Sequence, residues 1–167
     1  MLVQTFIKRS RLPFPAETVF DWHTRPGALE RLTPPWENVE IVSQTNGIGD
    51  GARAELRVRI GPLRRRWIAE HRGCVHGRQF QDVQIQGPFH RWEHTHRFIP
   101  DGADSCILED RIEYVLPLGR LGRLLGARIS QGMLVRMFNY RHQITAADLA
   151  VHERFRRSPP MKVLISG

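Results

Sequence analysis

The stretch FHRWEHTHRF, Phe89 to Phe98, holds three histidines, two of them as a His-x-His pair. In an extended strand His90, Trp92, His94, His96 and Phe98 share one face, because successive side chains alternate sides. At a strand rise of about 3.3 Å per residue, His94 and His96 sit ~6.5 Å apart at Cα, within reach of one metal ion, whereas His90 lies about 13 Å from His94. A zinc site needs further ligands, and no clear partner stands at a customary spacing. The sequence therefore predicts no metal site and no cofactor in this chain. The pair reads as histidines bonded to neighbours or lining a partly polar cavity.

A carboxylate partner comes from CILEDRIEYVL. Cys106, Leu108, Asp110, Ile112, Tyr114 and Leu116 alternate against Ile107, Glu109, Arg111, Glu113 and Val115. Asp110 is the single acid on the apolar face, and a buried carboxylate must be paired or protonated. In a meander this strand lies beside the histidine strand, so Asp110 is expected to meet His94 or His96. Such a pair orients an imidazole for proton transfer, or it is a structural hydrogen bond; the residues leave both open. No nucleophile joins them: Ser105 falls at a turn and Cys106 reads as a core thiol. His71 is a further candidate, because solvated Arg66 and Arg72 turn Trp67, Ala69 and His71 inward. In QFQDVQIQ, Val83 and Ile85 favour one inward face and Phe80 the other, so Asp82 and Gln84 remain open candidates.

The elements that must carry these side chains follow from period and punctuation. LVQTFIKRSRL is strand-like, AETVFDWH after Pro15 is a short helix, and ALERL before Pro34 and Pro35 is a second. Strands then recur between turn signals: VEIVSQ, ARAELRVRI, RRRWIAEHRGCV, QFQDVQIQ, FHRWEHTHRFI and CILEDRIEYVL. In ARAELRVRI, Ala54, Leu56, Val58 and Ile60 oppose Arg53, Glu55, Arg57 and Arg59, as in a half-buried antiparallel strand. Beyond Pro117 the period becomes helical. Leu125, Ile129, Met133, Met137, Tyr140, Ile144, Ala147 and Val151 form one stripe, with Arg128, Gln131, His142 and Asp148 opposite. Gly119, Gly122 and Gly126 suggest a loose start, with continuous helix from near Ala127. The layout is an α+β chain in which a curved seven-stranded antiparallel sheet wraps a long C-terminal helix, with a cavity between them. Its expected lining is Leu56, Val58, Trp67, His71, Trp92, His94, His96, Phe98, Leu108, Asp110, Ile112, Met133, Met137 and Tyr140, with Trp36 and Phe89 near the entrance.

The chain has 167 residues and a net charge of +8, with arginine far outnumbering lysine. Arginine is spread along the whole chain, which favours solvated faces over a nucleic-acid surface. Arg64, Arg65 and Arg66 follow a hairpin turn, as a solvated tip or as a patch for an anionic head group. No apolar run is long enough to span a membrane. Cys74 and Cys106 lack metal spacing and read as free thiols of a cytoplasmic protein.

The order of elements resembles the helix-grip fold of the START and birch-pollen-allergen superfamily, which includes polyketide cyclase/dehydrase-like and lipid-transfer proteins. FDWHTRPGALERLTPPW and FQDVQIQGPFHRWEHTHRF resemble the START-like domain found ahead of a sugar-nucleotide-epimerase-like domain, in proteins often labelled cell-division inhibitor. The resemblance covers roughly residues 1–155 and implies binding of an apolar small molecule in the cavity. Two other functions stay open: a cyclase or dehydratase using His94, His96 and Asp110 as acid/base groups, and an interaction domain that docks on an epimerase-like partner. The ending SPPMKVLISG looks like a linker and the first strand and glycine of a Rossmann-type domain. Residues 156–167 are thus expected to be a linker plus the start of an epimerase domain joined in cis, any NAD-linked chemistry belonging to that domain.

Overall fold

The computed structural model describes residues 2–45, 47–60, 62–117 and 119–156, with backbone only over 119–129. Its elements are β1 (Gln4–Leu12), α1 (Ala16–Thr24), α2 (Ala28–Leu32), β2 (Val39–Gln44), β3 (Arg53–Ile60), β4 (Leu63–Val75), β5 (Gln79–Gln86), β6 (Arg91–Pro100), β7 (Cys106–Val115) and α3 (Gly119–Phe155). The seven strands form one antiparallel sheet in the order β1-β7-β6-β5-β4-β3-β2. This is the α+β layout expected from the sequence. The ending beyond Arg156 lies outside the described residues.

Alternation explains how the sheet faces its helix. On β3 and β4, Ala54 stands opposite Ala69 and Leu56 opposite Trp67, all turned inward. Arg53, Glu55, Arg57, Arg66 and Glu70 point outward and pair across strands: Arg53 with Glu70 at 2.6 Å, Arg66 with Glu55 at 2.6 Å, Arg57 with Glu40 at 2.9 Å. Much of the arginine excess is therefore spent on a solvated outer face. Register shifts at Ile41/Ser43, Ile68/Ala69 and Arg72/Val75 bend β2, β4 and β5, as bulges do, and curve the sheet around its contents.

Two faces matter for the site: that of β5, which the sequence left open, and that of α3, where the structure departs from the expectation. On β5 the inward side is that of Phe80, Asp82 and Gln84: Phe80 is 2% exposed and Ile85 47%. The ring of Phe80 packs on His96 and the α1 aromatics, which outweighs the pull of two aliphatic side chains. The correction concerns α3, which is continuous from Gly119 and presents Leu134, Phe138, His142, Thr145 and Leu149 to the core. The buried stripe lies one residue, about 100°, from the expected one. Met133 is 55% exposed, and Tyr140 packs edge-on against Trp36 at the flank. Two polar groups are buried on the packed face because each finds a partner there: Thr145 bonds the Arg141 carbonyl at 2.9 Å, and His142 bonds Asp110.

The core divides in two. One apolar cluster gathers Leu12, Val19, Phe20, Trp22, Phe80, Phe98, Leu108 and Leu149 under α1. The other gathers Phe6, Trp92, Ile112, Tyr114, Leu134 and Phe138. Gly27, with φ of 84°, turns the chain between α1 and α2 in a left-handed conformation that suits glycine. The two short helices thus cross one end of the sheet. What separates the two clusters is polar.

Candidate functional site

Register assembles the site. Residues directly opposite in neighbouring strands share a face. His71 on β4 stands opposite Asp82 on β5, and Asp82 opposite His94 on β6. One row over, Phe80 stands opposite His96, and His96 opposite Asp110 on β7. Four strands therefore bring three histidines and two acids to one patch of the inner face. α3 adds His142 from above.

The contacts are short and reciprocal. Asp110 faces three imidazoles: its Oδ1 lies 2.8 Å from His94 Nε2 and 2.7 Å from His96 Nδ1, and its Oδ2 lies 2.6 Å from His142 Nε2. His142 Nδ1 is 2.7 Å from Ser10 Oγ on β1. Asp82 also faces three: His71 Nε2 at 2.7 Å, His96 Nε2 at 3.1 Å and His94 Nδ1 at 3.4 Å. Aromatic rings seat the imidazoles. His96 stacks on Phe80 with centroids 4.1 Å apart, and His94 meets Phe138 edge-on at 5.1 Å.

Charge follows from this packing. Burial pushes the Asp82 and Asp110 carboxyls up, but their surrounding imidazoles outweigh it and hold both well below the usual carboxylate range. Burial pulls His96 down, and the two carboxylates reverse this and raise it to about 9. His23, buried beside His96 on α1, is lowered to about 4 by burial and by that neighbouring charge, while its Nδ1 contacts the Val19 carbonyl at 2.8 Å. Burial also pulls the Arg141 guanidinium down from its ordinary value, against the opposing charges of Asp110 and Asp82. Arg141 Nε donates to the Leu32 carbonyl at 3.0 Å.

A cavity of about 1260 Å³ opens onto this network between sheet and helix. Of the residues expected to line it, Leu56, Val58, Trp67, His71, Trp92, His94, His96, Met133 and Met137 do so, as do Asp82 and Phe89. Phe98, Leu108 and Ile112 do not, because they are packed inside the two core clusters. Asp110 lies behind the histidines it holds. Gln84 is turned to the β5–β6 connection, where it bonds the Phe89 carbonyl at 2.8 Å. Tyr140 and Trp36 pack on each other outside the cavity. Three contributors were missed in the sequence: His23, Arg141 and His142. Apolar counting places His142 on the solvated face of α3; its position four residues after Phe138 and seven before Leu149 is the signal for the buried face.

The arrangement has two chemical capacities. Its imidazole–carboxylate pairs can hold or relay a proton. Asp82, His94 and His96 also offer one ligand atom each within 4.8 Å of one another. The sequence showed no third ligand because Asp82 comes from a neighbouring strand whose inward face was ambiguous.

Comparison with known proteins places this geometry. The family model described as polyketide cyclase / dehydrase and lipid transport matches residues 12–138. The chain belongs to that family. A nucleoside-diphosphate sugar epimerase from Corynebacterium glutamicum is 28% identical over 90% of this chain, with a TM-score of 0.70. This chain spans 30% of the length of that protein. A START superfamily protein from Mycobacterium smegmatis (17% identity, 86% of this chain and 95% of that one, TM-score 0.61) shares the fold. So does norcoclaurine synthase from Thalictrum flavum, in complex with dopamine and hydroxybenzaldehyde (19% identity, 89% and 88%, TM-score 0.63). A search of curated proteins found no match. The helix-grip architecture is thereby shown. Among the described residues no helix is long and apolar enough to cross a membrane.

Proposed function

We propose that the chain binds an amphipathic small molecule between the sheet and α3, its apolar body against Leu56, Val58, Trp67, Trp92 and Met137. The polar end lies at Asp82, His94 and His96, with Arg141 opposite on the helix. One observation carries this reading: a cavity of about 1260 Å³ has apolar walls and an ionisable cluster at one side. That volume exceeds the roughly 300–1,000 Å³ of ordinary ligand sites, so a guest larger than a simple metabolite fits. The likeness to the epimerase supports a role as the N-terminal module of an epimerase-like protein. Native mass spectrometry of protein made in a heterologous host tests the binding. A small molecule released on denaturation is expected. A chain that stays empty, and whose melting temperature no fatty acid, sterol or polyaromatic amphiphile raises, would refute the proposal.

A second reading, acid/base catalysis on the bound guest, is favoured by the contact of His94 with Asp110 at the cavity wall. On a substrate identified by the first experiment, His94→Ala and Asp110→Ala should each abolish turnover. Turnover that survives both substitutions removes those residues from the chemistry and leaves a binding module.

A further inference from the structure

His94 and His96 each turn one ring nitrogen to Asp82 and the other to Asp110. A neutral imidazole has one N–H, so four donated contacts from two rings would require two imidazolium ions. Their centroids are only 3.9 Å apart, and like charges that close oppose each other. Hydrogen bonding alone therefore leaves this pair in an awkward state. His96 Nδ1 indeed makes no well-directed hydrogen bond, despite its short distance to Asp110.

The geometry points to a divalent transition-metal site in which Asp82 Oδ2, His94 Nδ1 and His96 Nε2 are the protein ligands. Bonds of about 2.0–2.1 Å in a tetrahedral site set ligand atoms roughly 3.3 Å apart. The two nitrogens stand 3.4 and 3.1 Å from Asp82 Oδ2. The surrounding shell has the form such sites require, each ligating imidazole turning its other nitrogen to a carboxylate. Asp110 bonds His94 Nε2 and lies 2.7 Å from His96 Nδ1, and His142, tied to Ser10, holds Asp110 in turn. His71 contacts the other oxygen of Asp82 at 2.7 Å, leaving Oδ2 for the ion. Imidazole with carboxylate suits zinc, cobalt(II) or iron(II), whereas calcium and magnesium prefer oxygen ligands alone.

Binding balances simply. Any proton facing Asp82 on the two rings leaves to solvent, the ion's two positive charges enter, and nothing is oxidised or reduced. All three ligands line the cavity, so the remaining coordination positions open to its contents. The inference deepens the cavity reading: the guest's polar end is an oxygen donor, such as a carboxylate, that completes the coordination.

The test uses the whole chain, stripped with a chelator and titrated with cobalt(II). Uptake of one ion per chain, with the visible absorption of a nitrogen- and oxygen-ligated ion, is expected. Asp110→Asn, a positioning change, should weaken uptake roughly 10–100-fold. Asp82→Asn and His94→Ala should weaken it more, while His76→Ala on the surface should leave it unchanged. If a variant fails to fold, imidazole NMR of the wild-type chain decides. Cobalt must then shift the His94 and His96 signals and spare His76 and His152. Absent uptake, or shifts confined to surface histidines, overturns the site. An apolar fluorescent probe separates the two readings. Probe binding without cobalt uptake removes the metal site and keeps the cavity, and cobalt uptake without probe binding does the reverse.

Discussion

Asp110 is the residue on which the buried network turns, because three imidazoles from β6 and α3 face one carboxylate. Removing one partner of a buried charged pair typically costs about 3–5 kcal/mol, since the others are left uncompensated. Asp110→Ala should therefore lower stability by that order in urea unfolding, and Asp110→Asn, which keeps an acceptor, by less. These shifted protonation equilibria predict a stability maximum for the metal-free chain. His96 is raised from 6.5 to about 9, so its contribution is full below the unfolded value and is lost as pH rises through about 9. His23 is lowered from 6.5 to about 4, so between these values the unfolded chain holds a proton that the folded chain refuses, and stability falls as pH drops. Asp82 and Asp110 add a further loss at more acid pH, below the ordinary carboxylate range. Urea midpoints should thus peak near neutrality. His96→Gln should flatten the alkaline limb and His23→Leu the upper acid limb. A meeting of Asp110 with one of His94 and His96 was legible in the sequence, because strand alternation and a meander suffice to bring them together; that it faces both was not. Asp82 was not, because no local pattern says which face a strand with apolar residues on both sides will turn inward.

At the scale of elements, α3 shows where periodicity misleads. Two stripes one residue apart both have helical spacing: Met133, Met137, Tyr140 and Ile144, and Leu134, Phe138, His142 and Thr145. Counting apolar residues selects the first. Packing selects the second, because Phe138 is fully buried against Phe6 and His94, and His142 and Thr145 are satisfied by partners invisible in the local sequence. Substitution distinguishes the faces. Leu134→Ala should cost about 2–5 kcal/mol and Phe138→Ala about 3–5 kcal/mol, whereas Met133→Ala should stay within ~0.5 kcal/mol of wild type. Met133 should act on ligand affinity instead, since its side chain borders the cavity. The strands were read more securely than the helix face because their two-residue period offers two choices, and arginines settle most of them.

For the molecule as a whole, element order carried the architecture: one strand, two short helices, six strands and a long helix close in only a few ways around one core. The cavity followed as a consequence of that closure; its charge balance did not, because it depends on four strands in register. If the cavity is the working part, filling it should abolish binding while sparing the fold. Ala69→Phe projects a ring inward from β4, and should abolish probe uptake with little change in the far-ultraviolet spectrum. A bound guest should conversely stabilise the chain by about 2.7 kcal/mol at a hundred times its dissociation constant, read as a rise in melting temperature.

The bond from Ser10 to His142 joins residues 132 apart in sequence, and among the described residues β1 pairs with β7 alone. Contacts this distant are slow to form, because a long loop must close before they return any energy. During synthesis β1 emerges before the other six strands and waits for β7, the last of them. Until α3 arrives, Asp110 lacks its third imidazole and the inner face of the sheet stands open to water. The helix α3 is then a kinetic clasp as much as a wall. A chain interrupted before it should collect as an aggregation-prone intermediate with an exposed histidine-lined face, and binding to chaperones on a ribosome stalled before α3 would reveal it.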